Sequence, residues 1–269
     1  MAPATGKSSR RESAPRPRRR AGPDSYWRLA TRPLHVLAFL APLIILYEIG
    51  AATVLGDAAG GIETVRAHDR LARALDVLGV AGAFLPWVVL VTILVVWHII
   101  ARDRWRVRPT VLLGMAGESV LATMPLLVLA ALLFGGSGHG GSDPAPAMVL
   151  AGGGASLADL PWTARAVLSV GAGLYEELVF RMILLAAIHL VLADFARVPA
   201  NIAGGIAIVA SAIAFAVYHD LALDETALAQ SAFYVLAGIY FGLVAVVRGF
   251  GVVVGVHALY DFLVLVVLG

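Results

Sequence analysis

Apolar runs long enough to cross a bilayer recur along this chain. A membrane helix needs about 20 mostly apolar residues. Such runs fall at 34–55, 80–101, 110–134, 164–193, 200–219, 228–247 and 250–268. The pattern predicts an all-α polytopic membrane protein with about seven transmembrane helices. Between the first two runs, over 62–78, apolar positions at helical spacing alternate with Glu63, Arg66, Asp69, Arg70, Arg73 and Asp76. That alternation predicts one interfacial amphipathic helix. The stretch 135–163 is rich in Gly, Pro and Ala and reads as a loop. Only Arg248-Gly249 separates the last two spans.

Composition narrows the class further. Hydrophobic residues make up 60% of the chain and charged residues 14%, against about 45–50% and about 25% in a soluble domain. An ordinary soluble enzyme, a disordered protein and a nucleic-acid binder are excluded. The lipid bilayer is the expected partner, and no nucleic acid is. The net charge of +2 hides a strongly basic start: residues 1–32 hold nine basic residues against Glu12 and Asp24. We read 1–32 as a disordered basic cytoplasmic tail, 33–163 as N-terminal membrane helices and 164–269 as the catalytic helices. With the N-terminus inside, 15 of the 20 basic residues fall on the cytoplasmic side. The positive-inside rule then predicts a multi-pass protein of the plasma membrane with a cytoplasmic N-terminus. The chain has no cysteine, so thiolate catalysis and thiolate metal sites are ruled out.

Charge inside a span is costly, about 2.5–3.5 kcal/mol per residue on insertion scales. The predicted spans nevertheless contain Glu48, Glu118, Glu176, Glu177, Arg181, His219, His257 and Asp261, six of them in the C-terminal half. Glu177 and Arg181 are four apart, share a helix face and can neutralise one another. Glu176 points about 100° away and must find its partner on another helix or in water. His257 and Asp261 stack one turn apart, so a carboxylate accepting one ring N–H would fix the tautomer and leave the other nitrogen for chemistry or a metal. Glu48 and Glu118 are read as lining a cavity or pairing with Arg181.

Three segments form an ordered set: Glu176-Glu177-Leu178-Val179-Phe180-Arg181, then Phe215-Ala216-Val217-Tyr218-His219, then His257-Ala258-Leu259-Tyr260-Asp261. The pattern E-E-x-x-x-R, F-x-x-x-H, H-x-x-x-D/N on successive membrane helices resembles the CPBP family of intramembrane proteases. That family includes the CAAX prenyl endopeptidases and the Abi, bacteriocin self-immunity, proteins. The resemblance covers about 164–269.

The resemblance implies an intramembrane endopeptidase acting on a membrane protein or peptide, with Glu176, His219, His257 and Asp261 catalytic. Glu176 is the base that activates a water. His219 shares the proton or holds the water. His257, oriented by Asp261, donates to the oxyanion. Glu177, Arg181 and Phe215 support them. No cofactor is preferred. Zinc is the alternative, with Glu176, His219 and His257 as its ligands, although no H-E-x-x-H is present. Two other functions keep the same fold: a non-catalytic scaffold or immunity protein, and a small transporter. Convergence of the site poses a problem of depth. His219 sits near the outer end of its span, whereas His257 lies well inside from Arg248. A tilted or broken fifth helix, or a recessed loop at 220–226, is expected.

Overall fold

The computed structural model describes residues 25–55, 85–134, 157, 160–219 and 227–268. The expected amphipathic helix over 62–78, nearly all of the loop over 135–163 and the segment 220–226 lie outside the described residues. Among the described residues the regular structure is entirely helical.

Helix α1 is Tyr26–Leu29, and α2 is Pro33–Gly50, continued by a π-helical turn over Ala51–Leu55. Helix α3 is Leu85–Ala101 and α4 is Pro109–Phe134. Helix α5 runs unbroken over Trp162–Phe195. Helices α6, α7 and α8 are Ala200–Tyr218, Ala227–Arg248 and Phe250–Phe262, the last prolonged through Leu263–Leu268. Proline marks most of the starts: Pro33 and Pro109 are first residues, and Pro161 and Pro199 are the residues before α5 and α6. A proline there forfeits no helical hydrogen bond and presets φ for the helix.

Among the described residues six helices are long and apolar enough to cross a membrane, and Pro86–Ala101 is a shorter apolar one. Their outward faces stay apolar: Ile100, Leu113, Leu132 and Phe195 are each more than 70% exposed. Such side chains are stable facing acyl chains and not water. The chain is therefore a multi-pass, all-α membrane protein. One boundary shifts. Residues 25–32, assigned to a disordered tail by composition, fold into α1 and a turn, with Leu29 and Ala30 buried. Their few apolar residues find a partner surface on α4.

Helix α8 is the centre of the bundle, with 67% of its span window buried. It packs most extensively on α5, and also on α4, α7 and α2. Gly173 of α5 permits a close approach: a Cβ there would lie 2.7 Å from Ala258 Cβ and 2.8 Å from the Val254 carbonyl. The Gly238 and Gly242 pair of α7 meets Ala212 and Ile208 of α6, so the small-xxx-small spacing serves packing within the bundle.

Candidate functional site

Three helices carry the ionisable residues of the C-terminal half into one buried cluster. Glu176 and Glu177 end the α-helical part of α5, and Leu178–Leu185 follows in π-helical form. Such widened turns shift side-chain register and recur at functional sites. His219 caps the end of α6, and His257 and Asp261 lie on α8. Glu176, Glu177, His257 and Asp261 are fully buried, and His219 is 1% exposed.

Arg181 donates from one terminal nitrogen to Glu177 Oε1 at 2.9 Å and from the other to the Gly238 carbonyl at 3.3 Å. Its guanidinium carbon lies 4.4 Å from the Phe215 ring centroid and 5.1 Å from that of Phe241. This cation is therefore paired and boxed by rings, which offsets its removal from water. Glu48 and Glu118, offered by the sequence as partners for Arg181, are engaged elsewhere. Glu48 Oε1 accepts from the Tyr175 hydroxyl at 2.8 Å, and Glu118 pairs with Arg248 and Tyr26.

The two imidazoles are held by different means. His219 Nδ1 donates to the Phe215 carbonyl at 2.8 Å, since a carbonyl can only accept. That leaves Nε2 directed at Glu176 Oε2, 3.8 Å away. The His219 ring stacks on Tyr234, centroids 4.2 Å apart and planes at 21°. His257 stacks on Phe241, centroids 4.8 Å apart and planes at 14°. In that plane its Nδ1 meets Glu177 Oε1 at 2.7 Å. Its Nε2 faces Asp261 Oδ2 at 3.4 Å and Glu176 Oε2 at 4.0 Å. Asp261 is thus near the ring, as its spacing predicts, but the short bond that orients the ring comes from Glu177 on another helix.

Glu176 is the unusual member. Among the described residues neither of its carboxylate oxygens has a hydrogen-bond partner, and His257 Nε2 has none either. A buried polar atom in that condition costs free energy and calls for an explanation. Tyr234 and Phe241 were not singled out from sequence. Aromatics in an apolar helix look like ordinary packing there, and no spacing marks them.

The same donors were weighed as zinc ligands. Two ligands about 2.0–2.1 Å from a tetrahedral zinc lie about 3.3 Å from each other. Glu176 Oε2 stands 3.8 and 4.0 Å from the two Nε2 atoms. Among the described residues, no three His, Cys, Asp or Glu side chains are grouped so as to hold a metal ion. The side chains as placed do not form a zinc ligand set.

On the other face of α8 lies an apolar cleft of about 640 Å³. Its walls include Phe39, Leu113, Val170, Ala258 and Phe262. Two of these follow His257 and Asp261 directly in the chain.

No curated protein and no solved structure matches the chain. A family does. Residues 158–263, the stretch that carries all three motifs and the whole buried cluster, match the family model described as Rce1-like, type II CAAX prenyl endopeptidase Rce1-like.

Proposed function

We propose that this protein is an intramembrane endopeptidase that hydrolyses a peptide bond with a glutamate-activated water. The observation that carries the reading is the buried Glu176 carboxylate. Among the described residues it has no hydrogen-bond partner, yet its Oε2 lies 3.8 and 4.0 Å from two imidazole nitrogens. Those separations exceed a direct hydrogen bond of about 2.7–3.2 Å. They suit one water held about 2.8 Å from each acceptor, with an angle of about 85–90° at its oxygen.

In this mechanism the water donates one proton to Glu176 and one to His219 Nε2. Glu176 removes its proton as the oxygen attacks the peptide carbonyl. The oxyanion that forms needs a donor. His257 can be that donor when protonated at both nitrogens, with Nδ1–H on Glu177 and Nε2–H turned toward the reacting carbonyl. Asp261 Oδ2 lies 3.4 Å from that nitrogen. The protonated Glu176 then returns its proton to the leaving amine. Bonds balance: one C–N bond breaks, one C–O bond forms, and water supplies both new termini.

We further infer a plasma-membrane location with the N-terminus in the cytoplasm, supported by the distribution of arginines. The test uses purified protein in liposomes with two probes. One is an internally quenched peptide containing an apolar segment of about 20 residues. The other is a prenylated peptide ending in the CAAX sequence named in the matched family. Wild type should cleave one of them and Glu176→Gln should not. Equal cleavage by both proteins overturns the assignment. Cleavage of neither probe by wild type leaves the scaffold reading in its place.

A further inference from the structure

A second polar cluster lies away from the site, where α1 meets the turn between α7 and α8. Arg248, the last residue of α7, grips Glu118 of α4 with two nitrogens. Nε pairs with Oε1, and a terminal nitrogen donates to Oε2 at 2.7 Å. The Tyr26 hydroxyl donates to the same Oε2 at 2.6 Å. Trp27 covers the pair, its ring centroid 3.9 Å from the guanidinium carbon. The side chains of Arg248 and Glu118 are only 13% and 20% exposed. A bidentate, aromatic-capped ion pair is the strong form of this interaction. Glu118 lies nine residues into α4, about 14 Å from its start, so the pair is not a loose surface contact.

The turn it grips is short. Gly249 alone joins α7 to α8, at φ +89°, and Thr31 packs against it. A side chain is strained at that φ, and one here would also press on Thr31. The register of α7 against α8 is therefore set at this turn. That register matters because α7 supplies both ring stacks, Tyr234 on His219 and Phe241 on His257, and the Gly238 carbonyl that holds Arg181. Helix α8 supplies His257 and Asp261 themselves.

We propose that Glu118 and Arg248, closed over by Tyr26 and Trp27, are positioning residues that lock the α7–α8 hairpin in the register the site requires. The N-terminal helix thereby aligns a centre it never touches. The proposal rests on the peptidase reading above. None of the four residues contacts the cluster of Glu176, and none belongs to the three motifs.

The experiment compares kcat and KM of wild type, Glu118→Gln, Arg248→Gln and the exchanged pair Glu118→Arg with Arg248→Glu, in liposomes on the peptide that wild type cleaves. Each single change should lower kcat about 10–100-fold, the effect of a misplacement of about 1 Å, with KM within about twofold. The exchanged pair should recover most of the loss. Singles with wild-type kcat, or an exchanged pair as slow as the singles, overturn the proposal. If the singles do not fold, Tyr26→Phe and Trp27→Ala decide. Each should lower kcat about fivefold, the worth of one hydrogen bond for Tyr26 and of one cation–π contact for Trp27, and wild-type kcat in both overturns it. If wild type cleaves neither probe, the peptidase reading fails by itself. The clasp is then judged by amide hydrogen exchange over 250–262. Faster exchange in both singles and recovery in the exchanged pair support it, and exchange unchanged in Arg248→Gln overturns it.

Discussion

Glu177 Oε1 sits 2.7 Å from His257 Nδ1 and 2.9 Å from the Arg181 guanidinium. One oxygen thus binds a structural cation and orients a candidate catalytic ring. In the fold this joins α5 to α8, which also approach closely where Gly173 meets Ala258. In the chemistry it fixes which nitrogen of His257 is turned toward Glu176.

That geometry ranks two carboxylates. Replacing an orienting partner of a histidine costs about 10–100-fold. Glu177→Gln should therefore lower kcat by about that factor. Asp261→Asn should cost less, because the bond that sets the ring survives. Steady-state kinetics on the two variants checks the order. A larger loss in Asp261→Asn would return the orienting role to Asp261.

Arg181 predicts a stability effect. Removing one member of a buried pair leaves the other charge uncompensated, at about 3–5 kcal/mol in soluble proteins. Arg181→Ala should lower the yield of folded protein and its thermal midpoint. A variant as stable as wild type but inactive would give Arg181 a role in substrate binding instead.

Tyr26 lies outside the spans and titrates late. Burial, and then the hydrogen bond to the Glu118 carboxylate, push its pKa up to about 12 from 10.0. The neutral phenol is the form the fold prefers. Its contribution to stability is fully present below pH 10.0 and is lost as pH rises through about 12. The ultraviolet titration of wild type minus that of Tyr26→Phe should show one phenol with a midpoint near 12. A midpoint near 10 would mean that the bond to Glu118 is not made in the membrane.

Much of this was legible in the chain. Length and hydropathy alone locate the helices, because a segment that must satisfy its own backbone in lipid has few alternatives. The four-residue spacings place Glu177 beside Arg181 and Asp261 beside His257, since i and i+4 share a helix face. What could not be read was which helix faces which. Glu177 reaches His257 across 80 residues, Arg248 reaches Glu118 across 130, and Tyr175 takes Glu48 across 127. A break in the fifth span is not found: α6 runs continuously over Ala200–Tyr218, and the loop at 220–226 lies outside the described residues. The folding of Tyr26–Leu29 was masked by its basic neighbours, because composition averages over residues that pack individually.

Topology is directly testable, since the chain has no cysteine and single ones can be introduced without background. Ser8→Cys should react with an impermeant maleimide only from the cytoplasmic side and Ser142→Cys only from the opposite side. Labelling of both from the same side would overturn an N-terminus in the cytoplasm with three crossings before residue 142.

The last prediction separates a glutamate-activated water from zinc. If Glu176 is the general base, Glu176→Gln should reduce turnover about 10²–10⁴-fold without loss of folded protein, because the amide keeps the shape and removes the buried charge. Wild type purified without added metal should then carry no stoichiometric zinc, and chelators should leave its rate unchanged. If zinc is bound instead, about one per chain should co-purify. The 3.8 and 4.0 Å gaps from Glu176 to the two imidazoles would have to shrink by about 0.5–0.7 Å around it, a contraction that moving side chains alone can supply. Elemental analysis of wild type, His219→Ala and His257→Ala distinguishes the two. Zinc near one per chain in wild type, lost in both variants, with activity restored to stripped wild type by added zinc, would overturn the water mechanism. The same outcome would keep Glu176, His219 and His257 together as the centre, with their role changed from holding a proton to holding a metal.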